Sequence, residues 1–184
     1  MIRLATQADV PQILDVYSPY VLNTATTFEY VVPALEEFTE RFRSITAQFP
    51  WLVWEEAGEI LGYAYGSLPF GRAAYGWVAT SSIYLAPSVQ GRGIGKKLYA
   101  PLESLLAEQG YRKLYAIITS DNPGSLDFHK KQGFRFLAEF PDCGIKFSKL
   151  YSVVWMEKSL NTGEIPQDFP KSIGQIVNVD RFFQ

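Results

Sequence analysis

Between Ile83 and Lys97 the chain reads Ile-Tyr-Leu-Ala-Pro-Ser-Val-Gln-Gly-Arg-Gly-Ile-Gly-Lys-Lys: an apolar strand, a Pro-Ser turn, a glycine-spaced loop and the first turn of a helix. The chemistry this string can do is to hold a pyrophosphate. Gly91, Gly93 and Gly95 let the backbone bend sharply and approach a ligand, while unpaired N–H groups and the positive end of the helix dipole face the anion. Arg92, Lys96 and Lys97 add positive charge beside it. Two commoner phosphate loops do not fit. No Gly-x-x-x-x-Gly-Lys-Ser/Thr ends at Lys96, and a dinucleotide fold needs Gly-x-Gly-x-x-Gly within repeated βαβ units. What stands here is Gln90-Gly91-Arg92-Gly93-Ile94-Gly95, a Gln-x-x-Gly-x-Gly string directly after a strand.

Other chemistry-bearing residues are few. His129 is the only histidine and Cys143 the only cysteine, so no internal disulfide can form and no Cys/His cluster has zinc spacing. No metal is expected, and Cys143 reads as a packed thiol. A net charge of −2 without a basic stripe argues against nucleic acid. There is no run of about 18 apolar residues, and Ile2-Arg3-Leu4 at the start reads as a strand rather than a leader, so a soluble cytoplasmic protein without membrane partners is expected.

The elements that must position the loop follow from periodicity. A chain of 184 residues, 47% hydrophobic, suits one domain. A first helix starts near Thr6 or Asp9 and carries Val10, Ile13, Leu14 and Tyr17 on one face; a second opens at Pro33 and repeats Leu35, Phe38, Phe42 and Ile45. Residues 23–30 between them are polar and aromatic without a period, either a loop near a ligand or a connector. Trp51–Trp54 and Ile60–Ser67 form a hairpin, and Ala79–Leu85 leads into the glycine loop. The next helix repeats Ile94, Leu98, Leu102, Leu105 and Leu106 and stops near Gly110, with Pro101 inside it at a cost of about 3 kcal/mol unless the helix bends. Leu114–Ile118 is a strand, Ser125–Gln132 a short helix, and Phe134–Phe140 and Tyr151–Glu157 are the last strands. The predicted fold is α/β, a mixed, mostly antiparallel sheet flanked by helices in one domain over residues 1–160. Residues 161–184, broken by Pro166 and Pro170, read as an irregular tail.

The Gln-x-x-Gly-x-Gly loop closely resembles the coenzyme A pyrophosphate loop of the GNAT acetyltransferases, and the element order is that of the same family. The resemblance runs from Ile2 to about Leu160 and narrows to the phosphinothricin-type amino-acid acetyltransferases. It is carried by Thr27-Phe28-Glu29, Pro50-Trp51-Leu52-Val53, Gly62-Tyr63-Ala64-Tyr65, the 72–77 and 128–134 segments, and Cys143-Gly144-Ile145-Lys146-Phe147. This implies an acyl-CoA N-acyltransferase fold and direct transfer of acetyl from acetyl-CoA to the primary amine of a small amino acid or analogue. It also implies backbone contacts from Ile83, Tyr84 and Leu85 to the pantetheine arm, with Gln90 to Lys96 around the pyrophosphate and Asn122 and Ser125 on the same arm. His129 falls where relatives place a proton donor, and relatives commonly pair as homodimers through strands near the C-terminus, here Tyr151–Trp155 and the tail.

Two departures matter. The branch places a carboxylate base three residues after Trp77, but this chain has Thr80, whose hydroxyl can orient a water and cannot accept a proton as a carboxylate does. Phe147-Ser148-Lys149-Leu150-Tyr151-Ser152 replaces His-Gly-x-Trp-x-Asp, which makes the expected substrate wall partly apolar and disfavours phosphinothricin against another small amine. Three explanations follow: Glu29 is the base, with Thr80 and Ser82 ordering water; transfer proceeds by proximity alone; or the chain binds acyl-CoA with little or no transferase activity.

Overall fold

The computed structural model describes residues 1–183. One seven-stranded sheet runs in the order β1-β2-β3-β4-β5-β7-β6, with β1 Ile2–Leu4, β2 Trp51–Glu56, β3 Glu59–Ser67, β4 Val78–Leu85, β5 Lys113–Thr119, β6 Arg135–Lys146 and β7 Lys149–Ser159. All neighbours are antiparallel except β4 and β5. Helices α1 Val10–Asn23 and α2 Leu35–Thr46 cover one face, and α3 Ile94–Gln109 the other; α4 Pro123–Lys131 follows β5.

The two faces bury two cores. Leu98, Leu102, Leu105 and Leu106 of α3 are fully buried against Leu52, Ala64, Ala79 and Leu114, each such side chain contributing about 1.5–3 kcal/mol. On the opposite face Val10, Ile13 and Tyr17 of α1 and Phe38 and Phe42 of α2 enclose Trp51, Val53 and Tyr63. The period-2 alternation of β2 thus sends Leu52 to one core and Trp51 and Val53 to the other.

Several local expectations are corrected. A 3₁₀ turn, Gln7–Asp9, precedes α1, and Asp9 is buried in an ion pair with Arg3 at 2.7 Å. Helix α2 begins at Leu35 rather than Pro33. Helix α3 runs unbroken through Pro101 and ends at Gly110, whose φ of 103° supplies the left-handed cap. Strands β6 and β7 are longer than predicted and form a hairpin closed by Phe147 and Ser148, both with positive φ. Cys143 is exposed on β6 rather than packed, because the strand is the free edge of the sheet and bulges between Phe140 and Gly144.

Beyond Leu160 the backbone is irregular apart from two 3₁₀ turns, Ile173–Gln175 and Val179–Phe182, yet it is held down. The Gln109 side chain donates to Gln48 O and Lys171 O, both at 2.7 Å, Phe169 stacks on Trp77, and Ile173, Ile176, Val179 and Phe182 join the α3 core. The three-residue spacing of those four apolar residues is visible in the sequence and is the signal for this packing.

Candidate active site

Strand β4 is the axis of the site. It pairs with β3 over Thr80–Leu85, but with β5 only over Val78–Thr80, opposite Lys113–Tyr115. Beyond Thr80 the two parallel strands diverge, because β5 continues straight along β7 as far as Thr119. The β5-facing backbone groups of Ser81–Leu85 therefore meet a cleft rather than a strand, and such groups need a partner from water or a ligand.

Two cavities open from that cleft. The larger, about 600 Å³, is walled by Tyr20, Thr26, Ile83, Leu85, Gln90 and Asn122 among others; the smaller, about 50 Å³, lies between Ser81–Tyr84 and Ala116–Thr119 and reaches Ser125 and His129. A further groove of about 450 Å³ runs over Gly91, Gly93, Gly95 and Lys96 to Lys131. Gly91 and Gly93 have φ of 77° and 76°, and a Cβ on either would meet open space. Their small size thus serves a backbone turn at the N-terminus of α3, the arrangement that binds an anion. The glycines, Ile94 and Lys96 line this groove, and Gln90 walls the larger cavity. Arg92 does not point at the groove: its guanidinium pairs with Glu56 at 2.7 Å, and Lys97 lies over the Trp54 ring. Lys131 is the added cation along the groove, on the last turn of α4.

Sequence reasoning also missed Tyr20. Its hydroxyl donates to Leu85 O at 2.6 Å and accepts from Leu85 N at 3.3 Å and from the Gln90 side chain at 3.2 Å. It ties the end of β4 to the start of the glycine loop. Asn122 caps α4 by accepting from Ser125 N at 3.0 Å, which sets both residues on the cavity wall.

His129 is buried on α4, its ring edge-on to Tyr99, Phe128 and Phe134. Its Nδ1 lies 2.8 Å from Ser125 O. A carbonyl only accepts, so Nδ1 carries the proton, and Nε2 is the free acceptor of the neutral ring. Burial pulls the imidazole pKa below its ordinary value, opposed by the bond to Ser125. His129 is accordingly neutral near pH 7.

The other face of β4 carries a second cluster. Thr80, Ser82 and Tyr84 share it, but Thr80 is closed off: Ser67, directly opposite on β3, exchanges a 2.8 Å hydrogen bond with its hydroxyl, and Thr80 walls neither cavity. Glu29, in the loop after α1, pairs with Arg41 of α2 at 2.6 Å, and its Oε2 is buried with no hydrogen-bond partner among the described residues. The Glu29 charge is felt by the Tyr17, Tyr65 and Tyr84 hydroxyls; burial first, and Glu29 in addition, hold their pKa values up, that of Tyr17 to about 12. Tyr65 lies opposite Ser82 on β4 and stacks on Trp51, and the Tyr17 and Thr27 hydroxyls bond at 2.7 Å. The structure thus sets Tyr65 beside Ser82, near Glu29 but not hydrogen-bonded to it, and leaves Thr80 apart. Ser82 and Tyr84 also bound the smaller cavity, which links the two clusters. Of the 147–152 stretch expected as a substrate wall, only Tyr151 walls the larger cavity, since Phe147 and Ser148 are spent on the hairpin turn.

A splayed parallel pair at the centre of a mixed sheet, with a glycine loop and helix N-terminus at its mouth, defines an acyl-CoA-binding transferase fold. The sequence model of the GNAT acetyltransferase domain matches residues 2–155, and the chain belongs to that family. It is 32% identical over 173 residues to a phosphinothricin N-acetyltransferase of Streptomyces coelicolor, covering 86% of this chain and 95% of that protein. It is 29% identical over 166 residues to an L-methionine sulfoximine/L-methionine sulfone acetyltransferase of Salmonella typhimurium, covering 90% and 97%. A solved phosphinothricin acetyltransferase of Sinorhizobium meliloti, in complex with acetyl-CoA, superposes with a TM-score of 0.85 at 33% identity over 93% of this chain and 92% of that one. Among the described residues no group of His, Cys, Asp and Glu could hold a metal, and no helix is long and apolar enough to cross a membrane.

Proposed function

We propose that this N-acetyltransferase moves the acetyl group of acetyl-CoA directly to the primary amine of a small amino acid or analogue. The observation that carries the reading is the position of β4: one edge of its second half is open to a cavity walled by the glycine loop, and its Ser82–Tyr84 face meets the Glu29 carboxylate cluster. The residues fit the cosubstrate, because the glycine backbone, the α3 N-terminus and Lys96 match a pyrophosphate, and the edge of β4 left open around Ile83 matches an amide-bearing pantetheine arm.

When bound, acetyl-CoA supplies an acetyl group activated as a thioester. The chain's own residues supply the rest. The open backbone edge of β4 around Ile83, with Asn122 and Ser125 opposite, orients the arm and offers an N–H to the thioester oxygen, where charge develops. Leu85, whose N–H and carbonyl are both held by the Tyr20 hydroxyl, marks the end of that open edge. Glu29, whose Oε2 has no hydrogen-bond partner among the described residues, takes the proton of the substrate ammonium, directly or through water. Thr80, closed on Ser67, positions its strand and takes no proton. His129, neutral and with Nδ1 committed to Ser125, has no proton at Nε2 to give; Nε2 accepts from an amide N–H of the arm, and solvent supplies the proton to the thiolate that leaves as the C–S bond breaks.

The relatives are named for transfer, and a chain that only binds acyl-CoA finds no support among them. A homodimer is part of the reading: β6 is a free edge, and Phe136, Phe140, Ile145 and Leu150 on the β6–β7 ribbon are each about half exposed or more, an apolar face that a second copy would cover. A cytoplasmic location goes with the acetyl-CoA supply.

The test is CoA release by the purified protein across a panel of small amines that includes methionine sulfone and phosphinothricin. Turnover on at least one amine, abolished by Glu29→Ala, supports the reading. Tight acetyl-CoA binding without turnover on any amine, with activity gained by Thr80→Glu, overturns it.

A further inference from the structure

Lys146, at the end of β6, is 1% exposed although it is a lysine on an edge strand. Its Nζ donates to three backbone carbonyls, Val21 O and Thr24 O at 2.7 Å and Thr27 O at 2.8 Å. All three ammonium protons are used, so only the charged form satisfies the set. Val21 lies in the last turn of α1, whose final carbonyls have no helical partner and form the negative end of the helix dipole. Lys146 therefore caps α1 from more than a hundred residues away and then follows the chain outward into the loop that leads to Glu29.

The two residues before Lys146 grip the same loop. Gly144 lies so close to Phe28 that a Cβ would come within 2.2 Å of the ring, and the Tyr30 hydroxyl donates to Ile145 O. Three successive residues of β6 thus meet residues 24–30 by packing, by a hydroxyl and by an ammonium. Thr24, Ala25 and Thr26 of that loop wall the larger cavity, and Glu29 belongs to the carboxylate cluster.

We infer that Lys146 is a positioning residue for the acceptor side of the reaction: it fixes loop 24–30, and through it Glu29, against the free edge of the sheet. This rests on the reading of Glu29 as the base. Lys146 itself touches no reacting atom. Burial lowers its pKa and the nearby Glu29 opposes this, which agrees with a charge held for structure.

The test uses Lys146→Met in the full chain, which keeps an unbranched stem of similar reach and removes the ammonium. Amide hydrogen exchange followed by mass spectrometry is expected to speed up about tenfold or more over residues 24–30, with α3 and β5 unchanged. In steady-state assays the amine KM is expected to rise about tenfold with a smaller fall in kcat. A general loss of stability would instead lower the active fraction and leave the amine KM where it was. Exchange over 24–30 that matches the native protein overturns the inference whatever the kinetics. Faster exchange with an unchanged amine KM leaves the anchoring correct and overturns the placing of this loop at the acceptor, which Glu29→Gln checks independently. If Lys146→Met does not fold, Tyr30→Phe is read instead, because Tyr30 is exposed and its hydroxyl grips the same strand. It is expected to give the same pattern at about threefold, and native exchange and kinetics there overturn the inference.

Discussion

Replacing Glu29 by Gln separates activity from stability, and the structure sets the size of both. The Glu29 and Arg41 side chains are 32% and 31% exposed and meet at 2.6 Å, so solvent screens the pair and its net contribution to folding is about 1 kcal/mol or less. Glutamine keeps the side chain's length and an oxygen for Arg41, and it gives up the ability to take a proton together with the small contribution of that screened charge. General-base help is worth about 10²–10⁴-fold, which corresponds to about 3–5 kcal/mol of barrier. Thermal unfolding of Glu29→Gln is therefore expected within a few degrees of the native protein, with acetyl-CoA affinity unchanged by calorimetry. Its kcat/KM for the amine, measured by thiol-reagent detection of released CoA at saturating acetyl-CoA, is expected to fall at least a hundredfold. The reasoning fails if kcat/KM stays within about threefold of native, for then proton removal does not pass through this carboxylate and proximity alone carries the reaction.

Three further outcomes follow from the geometry. Because burial lowers the His129 pKa, the unfolded chain binds a proton before the folded one does as pH falls below the ordinary histidine value. Stability is lost there at up to about 1.4 kcal/mol per pH unit until the folded pKa is reached, and denaturant titrations of His129→Gln are expected to lack that slope; an identical slope in both proteins would refute it. Gly93→Ala places a Cβ in open space but on a backbone with φ of 76°, a strain of about 1–2 kcal/mol. Acetyl-CoA affinity by calorimetry should weaken about tenfold, and an unchanged Kd would remove the loop from the binding site. Truncation after Leu160 removes Ile173, Ile176, Val179 and Phe182 from the α3 core. It is expected to lower Tm by about 5 °C or more, whereas an unchanged Tm would make residues 161–184 a dispensable appendage.

Much of the fold is legible in the residues because its signals are local. The leucines of α3 recur at helical spacing, Ala57 and Gly58 turn a hairpin between alternating strands, and the glycine string sits between a strand and a helix, so each can be read within a window of some fifteen residues. The glycine loop follows from the same adjacency, whereas Asn122, Ser125 and His129 are singled out only by the resemblance to the family; the structure sets all three on the wall of the smaller cavity. Thr80 misleads for the opposite reason: its partner Ser67 is opposite it on another strand, and only the β3–β4 register shows that its hydroxyl is already engaged.

What the residues by themselves determined, then, is the glycine loop at the start of α3 and the order of elements around it, since backbone conformation and amphipathic period depend on near neighbours. The tertiary structure alone decided that Glu29 stands among Tyr17, Tyr65, Tyr84 and Arg41, that Arg92 turns away to Glu56, and that Lys146 reaches back to the end of α1. These contacts join residues far apart in the chain and leave no periodic trace, because a hydrogen bond or ion pair between distant segments constrains distance in space and nothing in the sequence between them.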